Sequence, residues 1–353
     1  MKHNLCVIGY GGMGGWHTRE LQNIEGIRLS GAYDILPERR KACEENGVHA
    51  FSSLEEVLSD PDTDLVTVAI PNDVHLEVSV RAMRAGKHVV CEKPVALNVR
   101  ELEEMIAVAK ETGRLFTVHQ NRRWDEDYLT LRKIYEEGTL GTVYNIESRV
   151  HGSRGVPGDW RNTVEHGGGM VLDWGVHLYD QILTMIPYPV SSVYAELTHV
   201  TNDVVDDGFR VLLHFDAPEG KTAPLCLVEV GTSNFINLPR WYMCGENGSA
   251  VIEDWQKNGR ITMVSHWEDR EAVPVVAGAG LTKTMAPRNE DTIENYPLPE
   301  VHSDVRDFYR DVMDAARTGR EPRIRHSELL RQMRLVEAIF RSAETGQAVS
   351  VHI

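Results

Sequence analysis

Short runs of β-branched and other apolar residues alternate with stretches of helical periodicity along the first third of the chain. This alternation is typical of consecutive βαβ units, whose strands form a parallel sheet with right-handed crossovers. The predicted strands are Asn4–Ile8, Arg28–Tyr33, a short segment at His49–Phe51, Leu65–Ile70, His88–Cys91 and Leu115–Val118. The pattern therefore predicts an α/β domain at the start of the chain.

From about Val143 onward the pattern changes to runs with a period of two residues. In Gly208–Phe215 one face carries Phe209, Val211, Leu213 and Phe215 and the other carries Arg210 and His214, which predicts a half-buried antiparallel sheet. The other face carries apolar residues such as Leu212 and Val228 among polar ones. Similar strands are predicted at Val193–His199 and Leu225–Val230, and helices at Asp304–Arg317 and Leu329–Thr345. The second part of the chain is therefore expected to be an α+β domain.

A chain of 353 residues is too long for one ordinary core and fits two domains. We place the boundary so that residues 1–122 form the first domain and residues 123–353 the second. The C-terminal helices can also pack back on the first domain. Two cores of this kind should meet at a cleft, which is where small ligands usually bind.

The formal net charge of −16 narrows the choice of partners. An anionic chain without a Lys/Arg cluster repels phosphate backbones and anionic membranes, which argues against a nucleic-acid partner. No apolar run approaches the roughly 20 residues that span a bilayer, and the residues up to Tyr10 have the pattern of a strand, not of a signal peptide. The five cysteines are scattered and form no C-x-x-C pair. We expect a cytoplasmic protein with no membrane partner.

A glycine-rich turn lies between the first predicted strand and the first helix. Its sequence, Gly9-Tyr10-Gly11-Gly12-Met13-Gly14, matches the G-x-G-x-x-G pattern in the position where the pattern has a mechanism. Gly9 permits a tight turn, Gly11 lets the backbone approach a pyrophosphate, and Gly14 allows close helix–strand packing. The helix N-terminus adds N–H donors. The motif predicts a Rossmann domain in which Gly9, Gly11, Gly12, Met13 and Gly14 contact a dinucleotide.

Asp34 follows Gly14 by twenty residues, at the end of the second predicted strand. A carboxylate there can accept hydrogen bonds from the ribose hydroxyls and would repel a 2′-phosphate. The sequence therefore favours NAD over NADP. Arg39 and Arg40 could instead hold a 2′-phosphate, although both also fit an exposed helix face.

Ligands of doubly wound sheets bind beyond the carboxyl ends of the strands, so the residues just after each strand are candidates. Pro71, Asn72 and His75 follow the fourth predicted strand, and Glu92 and Lys93 follow the fifth. We predict that all five lie at the cofactor. Lys93 precedes a proline, which excludes it from a helix and holds it extended where it faces the expected nicotinamide.

Several motifs together resemble the Gfo/Idh/MocA family of oxidoreductases: Gly9 to Gly14, Asp34, Glu92-Lys93-Pro94, and Gly167-Gly168-Gly169 followed by Asp173 and His177. The resemblance covers nearly the whole chain. It implies a Rossmann domain followed by an α+β domain with a large, mostly antiparallel open sheet. It also implies a homodimer or homotetramer assembled through that sheet, a catalytic Lys93, a cis Pro94, and a small-molecule polyol or sugar as substrate.

The segment Leu172–Ile186 has the periodicity of a helix that is apolar on nearly every side. One narrow polar stripe remains, formed by Asp173, His177, Asp180 and Thr184. A buried helix must direct such a stripe at a cleft or a polar network. His177 has a pKa suited to proton exchange near neutrality, and Asp173 can orient its ring or touch the substrate. The resemblance implies that this pair lies at the reacting hydroxyl, with His177 as general base.

Other residues at the sheet edge and in the long loop 151–169 can shape substrate choice. They offer fixed donors and flat faces to a hydroxylated or carboxylated ligand: Arg123, Trp124, Arg154, Trp160, Arg161 and His166. Each of them also fits an ordinary role as a surface arginine or a packed aromatic residue. We assign substrate binding to Arg123, Trp124, Trp160 and Arg161, together with Lys93, Asp173 and His177.

A metal site is the other interpretation of acidic and histidine residues at helical spacing. Asp173, His177 and His166 could in principle gather around an ion. Hydride transfer with Lys93 as electrostatic partner requires no metal, so we predict none.

These features predict a NAD-dependent dehydrogenase that transfers hydride between nicotinamide and a secondary alcohol carbon of a sugar, inositol or related polyol. Two alternatives stay open. A NAD-dependent glycoside hydrolase or lyase that works through transient oxidation would carry the same motifs but produce no net NADH. A dinucleotide-dependent regulator would have no need for Lys93, Asp173 and His177.

Overall fold

The computed structural model describes residues 3–268 and 274–353. A five-stranded sheet forms the first domain, with strands β1 (His3–Ile8), β2 (Ile27–Tyr33), β3 (Leu65–Val68), β4 (His88–Cys91) and β5 (Phe116–Val118). The order is β2-β1-β3-β4-β5, and every neighbouring pair is parallel. The connecting helices are α1 (Gly12–Leu21), α2 (Pro37–Glu45), α3 (Leu54–Ser59), α4 (His75–Arg84) and α5 (Val99–Thr112). The predicted Rossmann domain is confirmed.

The strand predicted at His49–Phe51 does not form. Ala50 makes a single parallel bridge with Ala32, through two backbone hydrogen bonds of 2.8 and 2.9 Å. The chain then turns away because Ser53 caps the next helix, its hydroxyl accepting a hydrogen bond from the N–H of Glu56 at 3.1 Å. A strong helix start so close to the edge of the sheet leaves no room for a longer strand.

A nine-stranded open sheet forms the second domain. Its strands are β6 (Val143–His151), β7 (Val190–Thr198), β8 (Gly208–Phe215), β9 (Leu225–Gly231), β10 (Trp241–Gly245), β11 (Gly248–Ile252), β12 (Gly259–Val264), β15 (Ile293–Tyr296) and β16 (Val349–Ser350). They lie in the order β15-β12-β11-β10-β6-β9-β8-β7-β16. Only the β6–β9 pair is parallel, which confirms the mostly antiparallel sheet. A separate hairpin consists of β13 (Val275–Ala277) and β14 (Gly280–Thr282).

The register of this sheet corrects one detail of the sequence analysis. Val228 opposes Val211 and is fully buried, so it belongs to the core face. Leu227 opposes Leu212, and this pair occupies the other face, where both side chains are only partly buried. The face of a strand residue depends on register, which shifts by a whole face with each one-residue slip.

The second domain also contains helices α6 (Glu126–Glu136), α7 (Val176–Met185), α8 (Asp307–Thr318) and α9 (His326–Thr345). The C-terminal pair ties the two hydrophobic cores together. Phe308 and Val312 of α8 belong to the core of the first domain. Along α9, Met333 belongs to that core and Leu335 and Ile339 to the core under the nine-stranded sheet. The C-terminal helices therefore pack against the cores of both domains.

Within the described part of the chain, every helix is too short or too polar to cross a bilayer.

Candidate active site

A cavity of about 1550 Å³ runs from the carboxyl ends of the parallel strands to the start of α7. One end is lined by the glycine turn and Asp34, and the other by Lys93, Asp173 and His177. This volume exceeds that of an ordinary small-ligand pocket, which is about 300 to 1,000 Å³. The cavity can therefore hold an extended dinucleotide and a second small molecule together.

The glycine turn forms a cradle that larger residues would fill. Gly9 has a φ of +98°, and a Cβ there would lie 2.1 Å from the carbonyl oxygen of Ala69. A Cβ at Gly14 would lie 1.9 Å from the carbonyl oxygen of Gly9, so helix α1 packs directly on β1. Gly9, Gly11, Gly12 and Met13 line the cavity, whereas Gly14 serves the packing behind it. These residues fit a pyrophosphate at the N-terminus of α1.

Asp34 lies at the end of β2 and its side chain is already oriented. Its carboxylate accepts hydrogen bonds from the N–H groups of Tyr10 at 2.7 Å and Leu36 at 2.9 Å. The nearest cation is Arg39, whose Nη1 is 3.5 Å away, while Arg40 donates to the backbone carbonyls of Asp34 and Ile35. Asp34 and Arg39 both line the cavity. This end of the cavity therefore presents an acid and an arginine side by side.

Pro71 and Asn72 line the cavity as predicted residues of the sheet edge. The side-chain amide of Asn72 donates to the carbonyl of Gly167 at 3.3 Å, which links the first domain to the glycine loop of the second. His75 is fully buried and does not line the cavity. Its ring nitrogens lie 2.9 Å from the carbonyl oxygens of Pro94 and Ile70, so it holds two sheet-edge loops together. Its contribution to the cofactor site is indirect.

Lys93 and Asp173 form the centre of the other end of the cavity. The ammonium Nζ of Lys93 lies 2.8 Å from Oδ1 of Asp173 and 2.8 Å from the backbone carbonyl oxygen of the same residue. The peptide bond between Lys93 and Pro94 is cis, as the resemblance implies. Arg161 donates from Nε to Oδ2 of Asp173 at 3.0 Å. Asp173 is therefore held between two cations, which outweigh its burial and keep its pKa below the ordinary value.

His177 lies one turn after Asp173 and also lines the cavity. A π-helical turn over Val171–Gly175 precedes α7, so the helix predicted at Leu172–Ile186 starts with a wider turn. His177 is 6% exposed, and among the described residues its Nδ1 has no hydrogen-bond partner. A buried ring nitrogen without a partner is unusual and fits a group that meets a ligand.

Glu92 lines the cavity beside Lys93, but its carboxylate is bound from behind. Its Oε1 lies 2.7 Å from Nε2 of His17 and 2.9 Å from Nδ1 of His119, and its Oε2 accepts from the N–H of Lys93 at 3.1 Å. The hydroxyl of Tyr309 meets the other nitrogen of His17 at 2.8 Å. Burial raises the pKa of Glu92, but its interactions with His119 and His17 outweigh burial and hold it well below the ordinary value. A fixed negative charge therefore lies behind Lys93.

Arg123 and Trp124 do not reach the cavity. The guanidinium of Arg123 makes two 2.7 Å hydrogen bonds to Asp180 and one of 3.0 Å to Glu328, and it is buried. Trp124 packs edge-on against Phe308 in the first core. The substrate-binding role predicted for this pair has no support in its location. Asp180, from the polar stripe of the helix, is the structural partner of Arg123.

The neighbouring Arg122 lines the cavity instead, and sequence reasoning missed it. Its guanidinium carbon lies 4.3 Å from the ring centre of Trp174 and 5.1 Å from that of Trp255, within cation–π range. Trp174 also lines the cavity and lies edge-on to His177. Two consecutive arginines follow the strand, so the sequence makes either of them a candidate for the cavity. Only the direction of the turn over Asn121–Trp124 decides between them.

Trp160 and Arg161, to which the sequence assigns substrate binding, both line the cavity. Asp159 accepts from the N–H of Arg161 at 3.0 Å and from its Nη1 at 2.9 Å, while the guanidinium stacks 4.3 Å from the ring centre of Trp160. Arg154, on the same loop, lines the cavity without an ion-pair partner among the described residues. The loop thus presents an aromatic face and two arginines to a ligand.

The residues of the metal alternative are not gathered. His166 is 2.9 Å from a carboxylate oxygen of Asp73 and does not cluster with Asp173 and His177 among the described residues. The cluster in the described residues that could hold an ion is His17, Glu92 and His119, whose ligand atoms are already bonded to one another.

Comparison with known proteins identifies the family. The model of the oxidoreductase family with an NAD-binding Rossmann fold matches residues 3–120, and the model of its C-terminal alpha/beta domain matches residues 132–351. The chain belongs to the Gfo/Idh/MocA family of oxidoreductases. Its first domain is therefore a dinucleotide-binding domain.

Three relatives illustrate this Gfo/Idh/MocA membership. The crystal structure of an NAD-binding protein from Listeria innocua is 43% identical, with a TM-score of 0.94 over 99% of each chain. The scyllo-inositol 2-dehydrogenase (NADP(+)) IolW of Bacillus subtilis is 27% identical over 97% of this chain and 94% of its own length. The myo-inositol 2-dehydrogenase of Thermotoga maritima is 30% identical over 54% of this chain and 57% of its own length.

In this Gfo/Idh/MocA protein the acid–base properties of His177 follow from its surroundings. Burial lowers the pKa of His177 well below the ordinary value, and the positive charges of Lys93 and Arg122 lower it further. Its imidazole is therefore unprotonated at neutral pH and able to accept a proton.

The pH dependence of alcohol oxidation should reflect this lowered pKa. If the unprotonated ring of His177 is the base of this reaction, kcat should change little between about pH 7 and pH 9 and fall only in acid, below the ordinary histidine pKa of about 6.5. The measurement is initial NADH production at saturating substrate and cofactor across that range. A kcat that keeps rising above neutrality would contradict the assignment of a strongly depressed His177.

Proposed function

We propose that this protein is a NAD-dependent dehydrogenase that acts on a secondary alcohol of a sugar, inositol or related polyol. The observation that carries the proposal is the meeting of Lys93, Asp173 and His177 at one end of a cavity whose other end is a dinucleotide cradle. Two of the relatives named above are described as inositol 2-dehydrogenases, which supports a cyclic or linear polyol as substrate.

In the proposed reaction the neutral imidazole of His177 accepts the proton of the reacting hydroxyl. Lys93 donates a hydrogen bond to the same oxygen as negative charge develops on it, which lowers the barrier most in a site shielded from water. Asp173 holds the Lys93 ammonium at 2.8 Å and keeps it in place. The dinucleotide, when bound, supplies the hydride acceptor.

The substrate end of the cavity supports a hydroxylated ligand. Trp160 and Trp174 offer flat faces on which a polyol ring can stack, and Arg161 is pre-oriented by Asp159 and Asp173. Arg154 adds a donor that is not committed elsewhere in the described structure. Planar guanidinium groups bind vicinal hydroxyls or a carboxylate through paired hydrogen bonds.

A substrate screen tests the proposal directly. Purified protein is mixed with NAD and, one at a time, with sugars, inositols, their phosphates and the corresponding acids, while NADH absorbance is followed. The proposal expects net NADH formation with at least one polyol or sugar derivative. Release of a glycosidic leaving group without net NADH would favour the redox-neutral hydrolase or lyase, and cofactor binding with no turnover on any of them would favour a regulator.

Cofactor preference is a separate prediction, because an acid and an arginine lie side by side at the ribose end. We expect NADH to bind more tightly than NADPH, since Asp34 lies where a 2′-phosphate would have to fit and its carboxylate is fixed by two backbone N–H groups. Replacing Asp34 with alanine should lower the preference and leave Arg39 free to hold a phosphate. Fluorescence titration of both reduced cofactors measures this.

Glu38→Ala, on the exposed side of α2 outside the cavity lining, is the matched control and should leave the preference unchanged. IolW of Bacillus subtilis is described as using NADP(+), so the family alone does not decide the matter. NADPH binding at least as tight as NADH binding to the unaltered protein would refute the prediction.

Assembly into a homodimer or homotetramer is proposed from the nine-stranded sheet. Its outer face carries the partly buried pair Leu212 and Leu227, and Tyr242 on β10 is 36% exposed. An open sheet with apolar residues on its outer face is a common surface for self-association. Light scattering at micromolar concentration should give a mass of at least two chains, and a monomer would contradict this. A cytoplasmic location stays a prediction from the sequence.

A further inference from the structure

Asp206, two positions before β8, lies at the N-terminus of the helix that carries Asp173 and His177. Its carboxylate oxygen Oδ2 accepts a hydrogen bond from the N–H of Val171 at 2.8 Å. Its backbone carbonyl accepts one from the N–H of Met170 at 3.0 Å. The first N–H groups of a helix have no acceptor within the helix. Asp206 supplies the missing acceptors for the N–H groups of Met170 and Val171.

The approach of Asp206 to the helix depends on the glycine loop. Gly169 has a φ of +94°, and a Cβ there would lie 2.2 Å from Oδ1 of Asp206. Asp206 is 5% exposed, and burial raises the pKa of its carboxyl to about 7. A carboxylate that is kept in so unfavourable an environment, against a residue that must be glycine, is a specific contact of this fold and not a chance surface bond.

The capped turn is also the part of the helix that holds the catalytic lysine. The N–H of Asp173 donates to the carbonyl of Gly169 at 3.0 Å. The carbonyl and the carboxylate of Asp173 in turn both accept from Nζ of Lys93 at 2.8 Å. A shift of this turn would therefore move Asp173, Lys93 and the start of the helix that carries His177 together. Asp206 itself does not line the cavity.

We propose that Asp206 is a positioning residue of the active site. By binding the first turn of the helix from outside the cavity, it fixes the distance between Lys93 and His177 at the reacting oxygen. The expected changes in kcat rest on the proposed function. The expected effect on the helix rests on the structure alone. It adds to the site a residue that never touches the substrate.

Two substitutions of Asp206 distinguish the loss of its hydrogen-bond acceptor from the loss of its charge. Asp206→Ala removes the acceptor and should lower kcat by roughly 10- to 100-fold, because a displacement of about 1 Å at a reacting group costs up to about 10²-fold. KM and the affinity for NADH should change by less than about 3-fold, since Asp206 does not line the cavity. Asp206→Asn keeps an oxygen of the same shape for the N–H of Val171 and should retain kcat within about 3-fold of the unaltered enzyme.

Asp207 provides the matched control. It is the next residue, equally buried, but its carboxylate binds the hydroxyls of Thr198 at 2.8 Å and Thr201 at 3.0 Å and does not touch the helix. Asp207→Ala should lower the melting temperature without a comparable fall in kcat. If Asp207→Ala and Asp206→Ala lowered kcat equally, general destabilisation would explain both, and the proposal would be overturned.

Hydrogen exchange of the backbone supplies a readout that needs no substrate. Peptides that cover Val171–Gly175 should exchange faster in Asp206→Ala than in the unaltered protein, and at a normal rate in Asp206→Asn. Unchanged exchange in Asp206→Ala would overturn the proposal, as would faster exchange with an unchanged kcat. If His177→Ala left turnover unchanged, the proposed function itself would have failed. The exchange result would still test the effect of Asp206 on the helix, because that measurement does not depend on turnover. Should Asp206→Ala fail to fold, the same comparison is made with Asp206→Ser.

Discussion

Replacing His177 with alanine should lower kcat for alcohol oxidation by roughly 10²- to 10⁴-fold, which is the usual contribution of a positioned general base. Lys93→Ala should lower kcat by a similar factor, because in the proposed reaction the lysine stabilises the charge that develops on the same oxygen. Neither side chain belongs to the phosphate cradle, so the affinity for NADH should stay nearly unchanged in both variants. Steady-state kinetics and a fluorescence titration of NADH measure the two quantities separately.

The control for this pair is His166→Ala. His166 belongs to the same loop region but pairs with Asp73 and is partly exposed, so its loss should alter kcat by less than about 3-fold. Asp173→Asn should cost less than either main substitution if Asp173 acts only by holding Lys93 and Arg161. Near-normal turnover of His177→Ala on the true substrate, with an unchanged pH profile, would exclude His177 as the base.

Loss of the Arg123 side chain should strongly destabilise the protein. Its guanidinium makes two 2.7 Å hydrogen bonds to Asp180, and the side chains are 7% and 5% exposed. Arg123→Ala leaves the Asp180 carboxylate buried without a counter-charge, which costs about 3 to 5 kcal/mol of the free energy of unfolding. Urea denaturation followed by circular dichroism measures this loss.

Two further variants test whether the unpaired Asp180 carboxylate causes the loss of stability. Arg123→Met combined with Asp180→Leu removes both charges and should recover much of the lost free energy, because the apolar pair needs no hydration. Arg132→Ala breaks an exposed pair with Glu136 and should cost less than about 1 kcal/mol. If Arg123→Ala cost no more than Arg132→Ala, the buried ion pair would not be a support of the domain junction.

The sequence predicts those parts of the site whose geometry is fixed by residues that are close neighbours in the chain. The glycine turn lies between a strand and a helix, and Lys93 follows a buried strand and precedes a proline, so each is placed by its immediate neighbours. Asp173 and His177 are one helical turn apart, and this spacing survives even though the structure begins the helix with a π-turn. Short-range constraints of this kind are visible in the residues themselves.

Local sequence does not decide which of Arg122 and Arg123 lines the cavity. Both arginines follow the same strand, and nothing in their neighbours distinguishes them. Arg123 is drawn into the core by Asp180, 57 residues later in the chain, and by Glu328 on the last helix. Arg122 is left at the cavity between the rings of Trp174 and Trp255.

By itself, then, the sequence determined the order of the two sheets, the glycine turn, the acid that follows β2 and the spacing of Asp173 and His177, because each depends on periodicity or on residues a few positions apart. Only the tertiary structure decided the partners that hold those groups. Glu92 is bound by His17 and His119, 75 and 27 residues away, and the N-terminus of the helix that carries His177 is bound by Asp206, 35 residues beyond Val171. Such contacts form between elements that the chain brings together only on folding, so no local pattern records them.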